Sequence, residues 1–287
     1  MRRMPVLLAG VAAISCAAVL VRLAGAPSLV VAAGRLVIAS AFLLPVCLVS
    51  ARRELAVLLR SRWRPVLLAG ALLAAHFALW TASLSYTTVA SSVVLVTTTP
   101  FIVALMSYVF FGERLRRVTF AGMGICLAGA ALIGYVGWRQ GGTALSGNAL
   151  AFCGALAMAG YLLVGRRLRR DTSLLPYSTA VFTVAGVMLA LAVTVTGPEV
   201  RGYLPHTWAA IVTLALVPQL VGHMSLNWAL RFMPATMVTV AVLGEPVGAS
   251  ILAVLVLHET PALLEVMGAV LILAGIAIAF LRGGAAR

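Results

Sequence analysis

The side chains that could do chemistry in this chain are the few polar and ionisable groups inside its long apolar runs. Glu245, in the segment LGEPVGA, is the only acid well inside such a run, and Pro246 follows it. Pro100 follows the threonines at 97–99 in another run. A proline in a helix removes one N–H donor and displaces an earlier carbonyl, which leaves backbone polarity free. We predict a binding or coupling site at these breaks, formed by Glu245, Thr98, Thr99, Pro100 and Pro246; kinks that only shape packing are the alternative.

Two further runs carry polar stripes centred on a histidine. His76 and Trp80 are four residues apart, and Gln219, His223 and Asn227 follow one another at the same spacing. On an α-helix this spacing places side chains on one face. Polar groups at membrane depth are costly unless they face a cavity or a partner. We expect both stripes to bind a ligand or to relay protons, and hydrogen bonds that only join helices are the alternative.

Arg35 is the remaining charge inside an apolar run. A guanidinium can hold a carboxylate through two parallel hydrogen bonds. It could equally extend toward the membrane surface or pair with an acid.

Glu113 and Glu259 each stand between two apolar runs. A carboxylate just before a helix can accept hydrogen bonds from its free amides and favours its positive end. We predict that both residues are structural caps of the helices that follow them.

The apolar runs that hold these residues identify the class of protein. Hydrophobic residues make up 63% of the chain, charged residues 10%, and the mean hydropathy is +1.11. Soluble domains are about half apolar and a quarter charged. Runs this long and uniform form helices rather than barrel strands. We predict an all-α polytopic membrane protein with ten transmembrane helices, at about 4–24, 28–50, 65–85, 88–111, 117–138, 147–165, 174–196, 206–230, 234–257 and 261–281.

The net charge of +14 predicts membrane orientation rather than nucleic-acid binding. All 21 basic residues are arginines, and all but Arg35 lie in or beside the gaps between the runs. With the N-terminus inside, seventeen arginines face the cytoplasm and three face outward. This asymmetry predicts a cytoplasmic (inner) membrane protein with both termini cytoplasmic.

The sequence also repeats itself at an offset of 146 residues. The matched pairs are Pro100 with Pro246, Glu113 with Glu259, Gly122 with Gly268, and Gly129 with Gly275. The repeat predicts two units, residues 1–140 and 141–287, with five helices each. Because five is odd, the second unit inserts upside down, as in secondary transporters.

The paired segments PFIVALMSYVFFGERLRRVTFAGMGICLAGAAL and EPVGASILAVLVLHETPALLEVMGAVLILAGIAI carry a family resemblance. So do AAGRLVIASAFLLP and GNALAFCGALAMAGYLLVGRRL. The chain resembles the drug/metabolite transporter superfamily, specifically its EamA-type ten-span permeases. The resemblance implies gradient-driven transport without a cofactor or an ATPase. It implies a small-molecule substrate and a lipid bilayer as partners, and no nucleic acid. Known relatives export amino acids and other metabolites, and some import.

From this we expect a secondary active transporter, not an enzyme, that exports an amino acid or a related compound with protons as the coupling ion. An importer, or a carrier of sugar phosphates or nucleotide sugars, is the alternative. An intramembrane enzyme would need clustered acids, but the chain has a single aspartate, Asp171, and its four cysteines lack metal-ligand spacing. A receptor would not explain the repeat.

Overall fold

The computed structural model describes residues 3–111, 117–139, 142–233, 235, 238–239 and 242–281, and this part of the chain is helical with no strand. The α-helices, numbered in chain order, are α1 Arg3–Ser15, α2 Ala17–Ala24, α3 Ser28–Ser50, α4 Arg52–Ser61, α5 Trp63–Ser83, α6 Val89–Val96, α7 Thr99–Phe111, α8 Arg117–Arg139, α9 Gly142–Leu168, α10 Leu174–Thr196, α11 Pro205–Leu214, α12 Met224–Ala229, α13 Glu245–Leu257 and α14 Leu263–Leu281. A π-helix, Ala215–His223, joins α11 to α12, and a 3₁₀ turn, Val242–Gly244, precedes α13.

Seven of the described helical segments are long and apolar enough to cross a membrane: Pro5–Ala24, Ser28–Ser50, Trp63–Ser83, Val89–Met106, Gly142–Leu168, Leu174–Thr196 and Pro205–Ala229. Three shorter apolar helices are Ala121–Val136, Glu245–Leu257 and Leu263–Gly275. Each segment overlaps one predicted run. The all-helical, polytopic character is therefore confirmed, and the count of ten transmembrane helices stays a prediction.

The outer surface of the bundle is apolar, as lipid contact requires. Val49 is 89% exposed, Val195 85% and Leu255 68%. Several polar side chains are fully buried instead, among them Arg35 and Gln219. Polar groups inside the bundle and apolar side chains outside are the arrangement expected of a protein that is surrounded by the hydrocarbon chains of lipids.

The stretch 52–64, which the sequence reading treated as a gap, contains the short helix α4. Leu55 and Leu58 are buried beneath it, which is why it is helical despite its charges. The Glu54 carboxylate accepts hydrogen bonds from the backbone N–H of Ser173, at 2.6 Å, and from its hydroxyl. These bonds provide an acceptor for a free backbone N–H at the start of α10, and they attach α4 to that helix.

Helices α8 and α14 pack together through glycines. A Cβ atom added at Gly129 would lie 2.5 Å from the carbonyl oxygen of Gly268, and one added at Gly275 would lie 2.5 Å from that of Gly122. The two backbones are thus in direct contact, as small residues allow between membrane helices. Gly129 pairs with the early part of α14 and Gly122 with its later part, so the two helices run antiparallel.

Glu259 does bond helix amides, but not those of the helix that follows it. Its carboxylate accepts from the N–H of Val89, the first residue of α6, at 2.9 Å, and forms a 3.0 Å ion pair with Arg22. The N–H of Ala262, just before α14, donates to Glu265 at 2.9 Å instead. The prediction for Glu259 named the wrong helix, because spacing along the chain does not show which helix end lies nearest. Glu113 lies outside the described residues.

Candidate functional site

A cavity with an empty volume of about 560 Å³ lies between seven of the ten predicted spans. Both predicted units contribute to its wall. Its described lining residues are Ile14, Ala17, Arg35, His76, Phe77, Trp80, Val96, Thr97, Thr99, Pro100, Met158, Leu162, His223, Leu226, Thr239, Val242 and Glu245. Most of the lining is apolar, with one carboxyl group, one guanidinium and two imidazoles among it.

The break between α6 and α7 forms one wall of this cavity. Pro100 is the second residue of α7, and the Thr99 hydroxyl donates to the carbonyl of Val96 at 2.6 Å, the carbonyl that the proline displaces. Thr99 and Pro100 line the cavity, as does Thr97. Thr98 does not: its hydroxyl donates to the carbonyl of Leu95 at 2.8 Å.

The matching proline in the second unit has the same local position. Pro246 is the second residue of α13, directly after the 3₁₀ turn. Pro246 is buried outside the cavity lining, whereas Glu245, which opens the helix, is part of it. No described residue forms a hydrogen bond with the Glu245 carboxyl group. The break therefore brings an acid, rather than the proline ring, to the cavity.

Arg35 is the buried cation of the cavity, with a side chain 1% exposed. Its Nε donates to Oε1 of Gln219 at 2.8 Å, and its Cζ lies 4.2 Å from the centre of the Phe77 ring. Among the described residues, none accepts a hydrogen bond from Nη1 or Nη2. The alternative of an extension toward the membrane surface does not occur, because the guanidinium faces inward between helices.

His76 and Trp80 share one wall, as their spacing predicted. Their rings are stacked, with centres 6.2 Å apart and an angle of 5° between planes. The Nδ1 of His76 donates to the carbonyl of Gly154 at 3.0 Å, which leaves its Nε2 as the acceptor. The pair is thus held in one orientation by helix α9.

The second predicted stripe only partly meets the cavity, because Gln219 and His223 lie at the Arg35–Phe77 contact and Asn227 does not. Gln219 and His223 lie in the π-helix around Pro218, whose turn is wider than that of an α-helix. His223 lines the cavity and contacts the Phe77 ring at 5.1 Å between centres, whereas Gln219 is turned onto Arg35.

Asn227 lies outside the cavity lining. Its side-chain oxygen accepts from the Tyr161 hydroxyl at 2.6 Å, and its nitrogen donates to Ser178 at 3.3 Å. Its backbone carbonyl accepts from Nε of Arg169 at 2.9 Å. Burial and the nearby charge of Arg231 lower the pKa of Arg169 from its ordinary value. Asn227 therefore joins helices at one end of the bundle.

The sequence did not predict several residues of the wall, among them Phe77, Met158 and Thr239. Phe77 follows His76, and its apolar character gave no sign that it faces a cation. The signal that could have found it is Arg35 within an apolar run, because a guanidinium is attracted to the face of an aromatic ring.

Comparison with known proteins shows two matches to one family along this chain. The EamA-like transporter family is matched by residues 4–135 and again by residues 145–281. Two relatives from Bacillus subtilis (strain 168) are each named an uncharacterized transporter. YdfC is 26% identical over 190 residues, which are 66% of this chain and 61% of the relative. YxxF is 25% identical over 186 residues, 64% of this chain and 58% of the relative. The chain thus spans about three fifths of the length of these curated relatives.

One solved crystal structure has the same fold. It superposes with a TM-score of 0.74 over 99% of this chain and 98% of that chain. At 19% sequence identity, this likeness concerns the fold alone.

Proposed function

This chain belongs to the EamA-like transporter family of multi-pass membrane proteins, and from that premise we propose that it is a secondary active transporter of a small polar metabolite. Members of the family are transporters rather than enzymes. The substrate moves through the cavity, and the two units, residues 1–140 and 141–287, open it alternately to the two sides. The two family matches and the antiparallel glycine contacts of α8 and α14 support this division into inverted repeats.

The observation that carries the proposal is the presence of two opposite charges in the lining of one cavity. Arg35 comes from the first unit and Glu245 from the second, and both line the same space. Charged groups inside a membrane protein are costly and mark pathways for substrates or ions. A site built from both units changes its exposure when the units move against each other, which is what alternating access requires.

The preferred substrate is a zwitterion, with an amino acid or a close derivative first, and the preferred direction is export. A zwitterion can place its two ends near opposite charges. The test is a counterflow screen in proteoliposomes that compares the proteinogenic amino acids with sugar phosphates. Exchange of sugar phosphates without any amino acid response would contradict the zwitterion proposal. It would favour sugar phosphates, the alternative substrate class.

Proton coupling is the second part of the proposal, with Glu245 as the coupling group and His223 or His76 as a relay. A carboxyl group without a described hydrogen-bond partner can exchange its proton for the substrate as the cavity opens.

In liposomes with an imposed pH gradient, Glu245→Gln is expected to keep the fold and to lose the gradient dependence of flux. Glu199→Gln, in an exposed loop, is the matched control. Gradient-driven flux that is unchanged in Glu245→Gln would remove the carboxyl group from the coupling mechanism.

A further inference from the structure

Arg35 has hydrogen-bonding capacity that no part of the described protein uses. Nε donates to Gln219, but Nη1 and Nη2 have no partner, although the side chain is only 1% exposed. Nε2 of Gln219 and Nδ1 of His223 are also buried without a partner. All these atoms belong to groups in or next to the cavity. Buried N–H donors without acceptors are expensive, so the free donors of Arg35 and Gln219 suit an acceptor that arrives from outside.

The contacts of the guanidinium restrict how that acceptor can bind. The Phe77 ring covers one face, with Cζ 4.2 Å from its centre. Gln219 occupies Nε at 2.8 Å, which excludes the side-on approach that uses Nε and one Nη. The edge formed by Nη1 and Nη2 remains, and its two parallel N–H groups match the two oxygens of a carboxylate. We propose that Arg35 binds the carboxylate of the transported substrate end-on through Nη1 and Nη2, and that Gln219 positions it. This inference rests on the proposed transport function.

The charge balance of the cavity favours a carboxylate over a phosphate. Arg35 is the only arginine among the described lining residues, and Glu245 adds a carboxyl group to the same space. One cation can neutralise a single negative charge. A phosphate group would leave a second charge desolvated beside an acid, which costs more than one guanidinium returns.

Gln219 is suited to position Arg35 without neutralising it. The amide oxygen is a neutral acceptor, so the guanidinium keeps its full charge for the substrate. The π-helix around Pro218 turns Gln219 onto Arg35 while His223, four residues later, lines the cavity. Wider π-helical turns are frequent at functional sites.

The test measures recognition of the carboxylate itself. The full-length protein in lipid nanodiscs is titrated with three probes: a mixture of the proteinogenic amino acids, a mixture of their α-carboxamides, and inorganic phosphate. Thermal stabilisation reports binding. The acids are expected to act at concentrations at least about tenfold lower than the amides, because charge-assisted bonds to Arg35 are lost in the amides. Arg35→Gln should bring the two concentrations together. Arg35→Lys keeps the positive charge but loses the two parallel N–H groups, so it should reduce the preference for acids over amides only in part. This variant serves as the test if Arg35→Gln does not fold.

The positioning role is tested through the same ratio. Gln219→Leu should lower the acid-to-amide preference by about three- to tenfold, which a purely structural role would not do. Asn227→Ala is the matched control, since this amide on the neighbouring turn contacts Tyr161 and Ser178 outside the cavity. It should lower the melting temperature and leave the preference unchanged.

Three results would overturn the inference: equal action of acids and amides on the unmodified protein, a preference that survives Arg35→Gln, or no stabilisation by acids. Stabilisation by phosphate that depends on Arg35 would assign the site to phosphate. Counterflow in proteoliposomes distinguishes failure of the carboxylate proposal from failure of the transport proposal. Amides that exchange as fast as acids would leave the transporter in place and remove only the carboxylate site.

Discussion

The charged side chains of this protein form two groups at the residue scale. Glu54, Glu259 and Glu265 each accept from a backbone N–H at a helix start, so their charges are used for structure. Arg35 and Glu245 line the cavity. No described residue forms a hydrogen bond with Nη1 or Nη2 of Arg35 or with the Glu245 carboxyl group. Substitution in the first group should therefore change stability, and substitution in the second should change ligand or proton binding.

Glu265 allows this distinction to be measured. Its side chain is 4% exposed and accepts from the hydroxyls of Ser91 and Thr88 and from the N–H of Ala262, at 2.6, 3.2 and 2.9 Å. Glu265→Ala leaves these donors unpaired, and we expect a loss of about 2–3 kcal/mol in the free energy of unfolding. Denaturation of the purified protein in mild detergent is the measurement. Glu199→Ala should stay within about 0.5 kcal/mol of the unmodified protein. Equal stabilities would mean that Glu265 is not the anchor that its contacts indicate.

At the element scale, most helices were predictable from the sequence, because the length of an apolar run and a glycine at its end are local signals. Gly25 and Gly197 end α2 and α10 with φ values of 58° and 66°, which suit glycine. Helix α4 was missed because its charged composition hides the two leucines that anchor it. The π-helix was missed because its period depends on packing around Pro218 rather than on composition. The sequence grouped His223, Gln219 and Asn227 at one site, and the structure has His223 in the cavity lining, Gln219 bonded to Arg35 beside it, and Asn227 bonded to Tyr161 outside it.

Contact between α8 and α14 gives a prediction about packing. A Cβ at Gly129 would lie 2.5 Å from the Gly268 carbonyl oxygen, whereas a Cβ at Gly124 on the same helix meets nothing within 4 Å. Gly129→Ala should lower stability by about 1–3 kcal/mol through overpacking. Gly124→Ala should be neutral or slightly stabilising, since alanine favours the helix. Thermal unfolding in one detergent compares the two. A Gly129→Ala protein as stable as Gly124→Ala would show that the helices separate without cost.

Helix α6 is held at its first residue and broken at its last, which suits a moving half-helix. Glu259 accepts from Val89 and pairs with Arg22, which also donates to the carbonyl of Thr87 at 2.9 Å. Glu259→Gln removes the charge from these contacts. We expect a cysteine placed at Thr97 to react about 3- to 10-fold faster with a membrane-impermeant thiol reagent added from the predicted outer side.

The background for this experiment is a protein without its native cysteines, and Glu199→Gln is the control. An unchanged reaction rate in Glu259→Gln would mean that these contacts do not hold the cavity shut on that side.

At the scale of the whole molecule, the glycine contacts between α8 and α14 are reciprocal in the way that a two-fold axis would produce. The offset of 146 residues relates Gly122 to Gly268 and Gly129 to Gly275. The structure places Gly129 against Gly268 and Gly122 against Gly275, so each contact is the image of the other. Two parallel copies would not give this exchange between antiparallel helices. The reciprocity is the structural argument for inverted units, and it leads to a prediction of topology.

Inverted units with five spans each place successive loops on opposite sides, which labelling can test. In a protein without its native cysteines, a single cysteine replaces Arg139, Arg201 or Arg53, all exposed. The arginine asymmetry places Arg53 in the cytoplasm and the other two outside. We therefore expect cysteines at 139 and 201 to react with an impermeant reagent in intact cells, and a cysteine at 53 to react only after permeabilisation. Position 139 lies between the two units and 201 within the second, so both must face outward if each unit has five spans. A cytoplasmic 139 or 201 would be incompatible with two inverted five-span units, and Arg35 and Glu245 would then need another explanation for their shared cavity.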